Sequence, residues 1–146
     1  MPKTGDRQDP FLAFRFEVTL EAMPVAGFSD CTGLQLETEV QDYNEGGLNT
    51  HVLKFPTRTK QTNIVLKRGI VDRAMWDWYW LLTQGLTLLR SGSITVRDPS
   101  GGTAVMEWQF SDAFPCKWLG PDLNAMQNSV AVETVELCHR GLTRTK

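Results

Sequence analysis

The sequence predicts a mainly β protein, a β-sandwich or barrel of about seven to eight antiparallel strands with one flanking α-helix and a long protruding arm. Three observations predict it. Alternation of apolar and polar residues with a period of two recurs along most of the chain. Only one segment carries the spacing of three and four that marks an amphipathic helix. The 146 residues, 41% of them hydrophobic, suit a single domain over residues 1–146 with one core.

Residues 1–10 read as a loose N-terminal arm. In FRFEVTL, Phe14, Phe16, Val18 and Leu20 share one face, with Arg15, Glu17 and Thr19 on the other. EAMP carries a turn signal, and VAGFSDCTG reads as a short strand followed by a Gly/Asp/Ser turn. LQLETEVQ alternates again. The stretch from Asp42 to Thr62, DYNEGGLNTHVLKFPTRTKQT, is polar and glycine-bearing, yet Tyr43, Leu48, Val52, Leu53 and Phe55 are spread along it. It is much longer than a hairpin connection requires. It reads as the chain's longest loop, an arm over residues 42–62 with apolar side chains that have no home in a small domain.

TNIVLKRG gives a further strand, with Ile64 and Leu66 on one side. Asp72 is placed to N-cap the segment RAMWDWYWLLTQGL. Met75, Trp78, Tyr79 and Leu82 fall on one helical face, and Trp76 and Trp80 on an adjacent stripe, so the helix is expected to be covered on more than one side. SITVRD and AVMEWQF flank the hairpin loop PSGGT. DAFPCKW reads as a broken strand, because Pro115 cannot donate to a ladder and belongs at an edge or bulge. LGPDLNAMQNS is a loop. VAVETVELCHRG is the last strand, and its alternation slips near Glu133–Thr134, as at a β-bulge.

Catalytic chemistry is not expected. His51 lies in the polar arm and His139 ends the last strand. Cys138 is adjacent to His139, but neighbouring strand residues point to opposite faces. Asp30, Asp42, Asp72, Asp98, Asp112 and Asp122 sit at turns or caps, where local hydrogen bonding explains them. Cys31, Cys116 and Cys138 are odd in number, far apart and without CxxC spacing, which argues against a disulfide framework or a zinc site. They read as small buried hydrophobes. No cofactor, metal or catalytic residue is therefore expected.

The net charge of −2 argues against nucleic acid as the main partner. The interrupted basic cluster RTKQTNIVLKR reads as a solvated strand face. No window approaches the roughly 20 apolar residues of a spanning helix, so no membrane anchor is expected. The start lacks an apolar signal core, so ordinary secretory export is not expected. What remains unusual is the surface. Apolar residues in the longest loop and an excess of tryptophan suit a subunit that docks copies of itself.

Several stretches together resemble the tail tube protein family of contractile phages, which includes tubes of phage-tail-like contractile injection systems. They are GFSDCTGLQLETEVQDYNEGG, KQTNIVLKRGIVD, WDWYW and DAFPCKWLGPDLNAMQNSVAVETVELCHRGL. The similarity runs from about Phe11 to Leu142. It implies a fold like the hemolysin-coregulated protein of type VI secretion, in hexameric rings stacked into a hollow tube for passage of cargo or DNA. By the same resemblance the partners are other copies, a sheath protein, and baseplate, spike and tube-cap proteins, without sequence-specific nucleic acid binding. The chain would be made in the cytoplasm and assembled in a phage tail or injection particle.

The arm would then touch neighbouring subunits through Tyr43, Leu48, Val52, Leu53 and Phe55, with Gly46 and Gly47 allowing a sharp turn. Trp76, Trp78, Tyr79 and Leu82 would be core or interface groups of the helix. A tube-initiator or adaptor ring, joining the tube to the baseplate, is the alternative that shares every one of these features.

Overall fold

The computed structural model describes residues 15–23, 27–44, 46–47, 52–99 and 102–146. Nine strands and one helix occur among them, in the order β1 (Phe16–Leu20), β2 (Asp30–Thr32), β3 (Leu36–Tyr43), β4 (Leu53–Gln61), β5 (Ile64–Gly69), α1 (Ala74–Thr83), β6 (Arg90–Arg97), β7 (Ala104–Leu119), β8 (Val132–Cys138) and β9 (Gly141–Arg144). All the pairings are antiparallel. The expected N-terminal arm lies outside the described residues, as do Phe14, Leu48 and His51.

The sixteen residues of β7 organise the sandwich. Up to Ala113 this strand pairs with β6 and, on its other side, with β9. From Phe114 onward it pairs with β8. One sheet is therefore β1, β6, β7 and β9, and the other is β7, β8, β5 and β2. A strand that serves two sheets must bend between them. The bend has two visible sources. Asp112 has a φ of 50°, a left-handed conformation that Asp tolerates better than most residues. Three residues later the ladder skips, with Pro115 opposite Leu137 but Lys117 opposite Glu136. Cys116 is the extra residue of this bulge.

DAFPCKW is thus the second half of one strand rather than a separate broken one. The proline tolerance expected there is met by the bulge. The slip expected at Glu133–Thr134 does not exist, because β8 runs in unbroken register along β5 from Val132 to Leu137. The interruption came from a charged residue, Glu133, occupying an inward seat.

Between the sheets lie Val18, Leu20, Ile94 and Phe110 from one side and Ile64, Leu66, Val135 and Leu137 from the other. Helix α1 adds Met75 and Trp78 to this core. Its N-cap residue is Arg73 rather than Asp72, but the Asp72 carboxylate still accepts the Ala74 N–H at 2.9 Å. Its C-terminus is a Schellman turn. Gly85, at φ 87°, donates to the Leu82 carbonyl and Leu86 to the Leu81 carbonyl, a geometry that glycine adopts without a Cβ penalty.

Candidate assembly surfaces

The arm is a β-hairpin, not a loop. Among the described residues, its strands β3 and β4 pair only with each other, in a two-stranded sheet separate from the sandwich. Strand β4 was not legible because almost every side chain along it is exposed, so neither face carries an apolar rhythm. Pro56 has no backbone N–H to give a ladder. It is accommodated opposite Val40 at a register shift, on a strand with an unpaired outer edge.

Gln41 opposes Phe55 and Tyr43 opposes Leu53, which puts Tyr43, Leu53 and Phe55 on one face of the hairpin. The Tyr43 and Phe55 rings meet edge to face at 6.0 Å. Phe55 nevertheless remains 49% exposed, and Tyr43 and Val52 are comparably open. Gly47, at φ 88°, makes a turn with Gly46 beyond the end of β3. Charged side chains flank the apolar ones, with Lys60 ion-paired to Glu39. That pair raises the Lys60 pKa, first through the hydrogen bond and then through the charge of Glu39.

A second apolar surface follows β7. In residues 119–132, Leu123, Met126 and Val130 are almost fully open, Met126 at 92%. Leu123 and Val130 line a groove that includes Lys67 and Asp122. A third lies on α1. Trp78 is buried and donates its indole N–H to the Leu88 carbonyl at 2.8 Å. Trp76 stacks on Trp80 at 5.6 Å and meets Trp118 edge-on at 4.8 Å. Tyr79 and Leu82 are half-buried, whereas Trp80 stays 48% exposed. The wide apolar wrap read from the sequence therefore ends in an open stripe.

Sequence reasoning missed the polar centre beneath these surfaces. Arg68 was read as part of a solvated face, yet it is 2% exposed, and Glu133, directly opposite on β8, is 3% exposed. Arg68 Nε donates to Glu133 Oε1 at 2.6 Å and its Nη2 to Asp72 Oδ1 at 2.8 Å. Trp118 Nε1 donates to Glu133 Oε2 at 3.1 Å. The guanidinium also lies 5.6 Å from the Phe28 ring centre. One carboxylate pair thus ties strands β5, β7 and β8 of the second sheet to the start of α1.

The remaining reactive types have local roles. His139 Nε2 lies 2.9 Å from the Thr62 carbonyl oxygen. The three cysteines are free thiols and half-buried, less enclosed than expected. Burial pushes Cys31 up to about 11. Burial, then the neighbouring Cys138, pushes Cys116 up to about 12. No group of three metal-ligating side chains occurs among the described residues, and no helix among them is long and apolar enough to cross a membrane.

Residues 12–143 match the family described as T4-like virus tail tube protein gp19. The chain belongs to this tail tube family. Tail tube proteins are structural components, and the chain is a tube protein of a phage tail or contractile injection particle, not an enzyme. No curated protein sequence matches it.

Solved structures extend the likeness of this tail tube protein. One comes from the tube-terminating cap of the anti-feeding prophage, with 26% identity, a TM-score of 0.88, and 100% and 99% of the two chains covered. Another comes from the sheath–tube complex of the extracellular contractile injection system PVC, with 24% identity, a TM-score of 0.84, and 93% and 91% covered. The Hcp1 protein of Flavobacterium johnsoniae shares the fold at 14% identity and a TM-score of 0.55, over 89% and 94% of the chains. The likeness to the hemolysin-coregulated protein inferred from sequence is thus one of fold.

Proposed function

We propose that this tail tube protein is the repeating subunit of an inner tube, arranged in hexameric rings that stack around a lumen through which cargo or DNA passes. Residues 1–146 act as one tail-tube unit. Its partners are other copies of itself, a surrounding sheath protein, and baseplate, spike and cap proteins at the two ends. The chain is made in the cytoplasm before assembly. The observation that carries this reading is the β3–β4 hairpin, which holds Tyr43, Leu53 and Phe55 on one face and pairs with no strand of the sandwich among the described residues. Such a hairpin is a docking element for a neighbour, and a head-to-tail contact of this kind closes into a ring when its rotation permits.

Replacing Leu53 and Phe55 together by Ser tests the reading. Each such side chain contributes roughly 1.5–3 kcal/mol when fully buried, and the loss recurs at every interface. The double variant should keep its circular dichroism and sediment only as a subunit, under conditions where the parent chain forms rings or tubes. Unimpaired assembly would make the hairpin a passive loop. Loss of folding would place both residues in the subunit's own core.

The adaptor or initiator ring at the baseplate remains the second reading, since solved relatives of the same fold come from a tube terminator and a baseplate. Copy number per particle separates them, with many stacked rings for the tube and a single ring for the adaptor.

A further inference from the structure

The β3–β4 hairpin continues a strand pair that begins inside the sandwich. The chain runs from β2 into β3 and from β4 into β5, and β2 pairs with β5 as β3 pairs with β4. The register agrees on both sides of the junction. Thr32 faces Val65 and Leu36 faces Gln61, so three residues of each strand lie between. Gly33, Leu34 and Gln35 on one strand, with Thr62, Asn63 and Ile64 on the other, thus form an elbow in one ribbon.

The ladder breaks there for a local reason. Gly33 has a φ of 92°, and a Cβ on it would lie 2.0 Å from the Asn63 carbonyl oxygen. Only glycine lets the two backbones meet in this way. The Gln35 N–H turns back to the Gly33 carbonyl at 2.8 Å, a γ-turn in place of a cross-strand bond.

Side chains then fasten the elbow. The Thr62 hydroxyl reaches the Gly33 carbonyl at 3.0 Å and the Gln35 carbonyl at 3.3 Å, so it ties one strand to the other where the ladder is broken. Asn63 Nδ2 donates to Glu136 Oε1 on β8 at 2.9 Å. His139 Nε2, just beyond β8, lies 2.9 Å from the Thr62 carbonyl oxygen. A carbonyl only accepts, so this ring nitrogen carries the proton. Leu34 packs against the core.

Beyond the elbow, β3 and β4 pair with no sandwich strand among the described residues. A two-stranded ribbon is marginal on its own, so its direction is set at its root. On the reading that the hairpin docks onto a neighbour, that direction fixes the rotation between subunits, and the rotation decides whether a head-to-tail contact closes. We propose that Thr62, Asn63 and His139 are positioning residues of assembly. They lock the elbow, so each subunit presents its hairpin at the one angle that closes the ring. An arm already held at that angle also loses less freedom on docking than a swinging one.

Thr62→Val tests this, because it keeps the branched shape and removes the hydroxyl. Dyes attached through non-natural residues at Lys54 on the hairpin and Gln84 after α1 report the arm's direction by single-molecule energy transfer. At such dilution the subunit is unassembled. The parent chain should show one narrow distance distribution, and Thr62→Val a broad one. The protein concentration at half-assembly should rise roughly tenfold, the order that one lost hydrogen bond supplies, while the urea midpoint of the sandwich stays in place. Thr62→Ser, which restores the hydroxyl, should restore both readouts. His139→Phe, which removes the donor to the Thr62 carbonyl, should act as Thr62→Val does. A broad distribution in the parent chain would overturn the proposal, as would variants that keep a narrow one. So would a broad distribution with unchanged assembly, or a urea midpoint that falls in both variants, which would make these bonds part of the sandwich's own stability. The distance readout needs no assembly, so it separates failure of the lock from failure of the docking reading, which the Leu53 and Phe55 variant decides.

Discussion

Replacing Glu133 by Leu removes the acceptor that faces Arg68 across the β5–β8 ladder. The replacement fits the inward seat and leaves the guanidinium with Asp72 alone, a carboxylate whose side chain is 42% exposed. It also strips the Trp118 indole N–H of its partner. Breaking a buried pair from one side costs about 3–5 kcal/mol, since the other charge stays dry and uncompensated. With a urea dependence of about 2 kcal/mol per molar, the unfolding midpoint of the isolated subunit should fall by roughly 1.5–2.5 M. Tryptophan fluorescence should report a changed Trp118 environment before the transition. The double variant Arg68→Met with Glu133→Leu should recover most of the loss, because a packed apolar pair avoids the desolvation cost. A loss below about 1 kcal/mol for the single variant would refute the view that this pair is dry and structurally coupled.

Trp78→Ala should cost about 3–5 kcal/mol in the same assay, since the ring is buried and its N–H is bonded to the Leu88 carbonyl; an unchanged midpoint would mean that α1 does not seal the core. Cys31, raised to about 11 from an ordinary 9.0 by burial, should react with iodoacetamide near pH 8 about a hundredfold more slowly in the native chain than in the unfolded one. Equal rates would contradict its burial. Asp72 is held below its ordinary 3.8 by the Ala74 N–H first and by Arg68 second. Its contribution is therefore present above that value and lost as pH falls through its lower folded value. The stability difference between the parent chain and Asp72→Asn should thus shrink in thermal melts below about pH 4, and a difference that grows with acid would reverse the sign of this account.

Much of the sandwich was legible because one face of each principal strand is buried. Val18 and Leu20 in β1, and Ile64 and Leu66 in β5, carry the rhythm of two directly. The hairpin strand β4 carries no such rhythm, since water bathes both its faces. The switch of β7 between sheets was invisible for another reason, that Asp112 and Pro115 look like strand breakers when no second partner strand is known. Arg68 and Glu133 explain themselves only once register sets them opposite each other. Separately, each broke an apolar pattern and was read as surface or as a slip. The candidate surfaces were legible as a composition, apolar residues in a polar segment and a tryptophan-rich helix. Which of those side chains stay open was not, because it depends on how α1 and β7 pack.

Electron microscopy of the concentrated protein, alone or grown from a baseplate, tests the central claim most directly. The account predicts six-fold rings stacked into hollow tubes, each subunit reaching a neighbour through the β3–β4 hairpin. A chain that stays monomeric at every concentration in sedimentation, and that is absent from the shaft of sheathed particles, would contradict it.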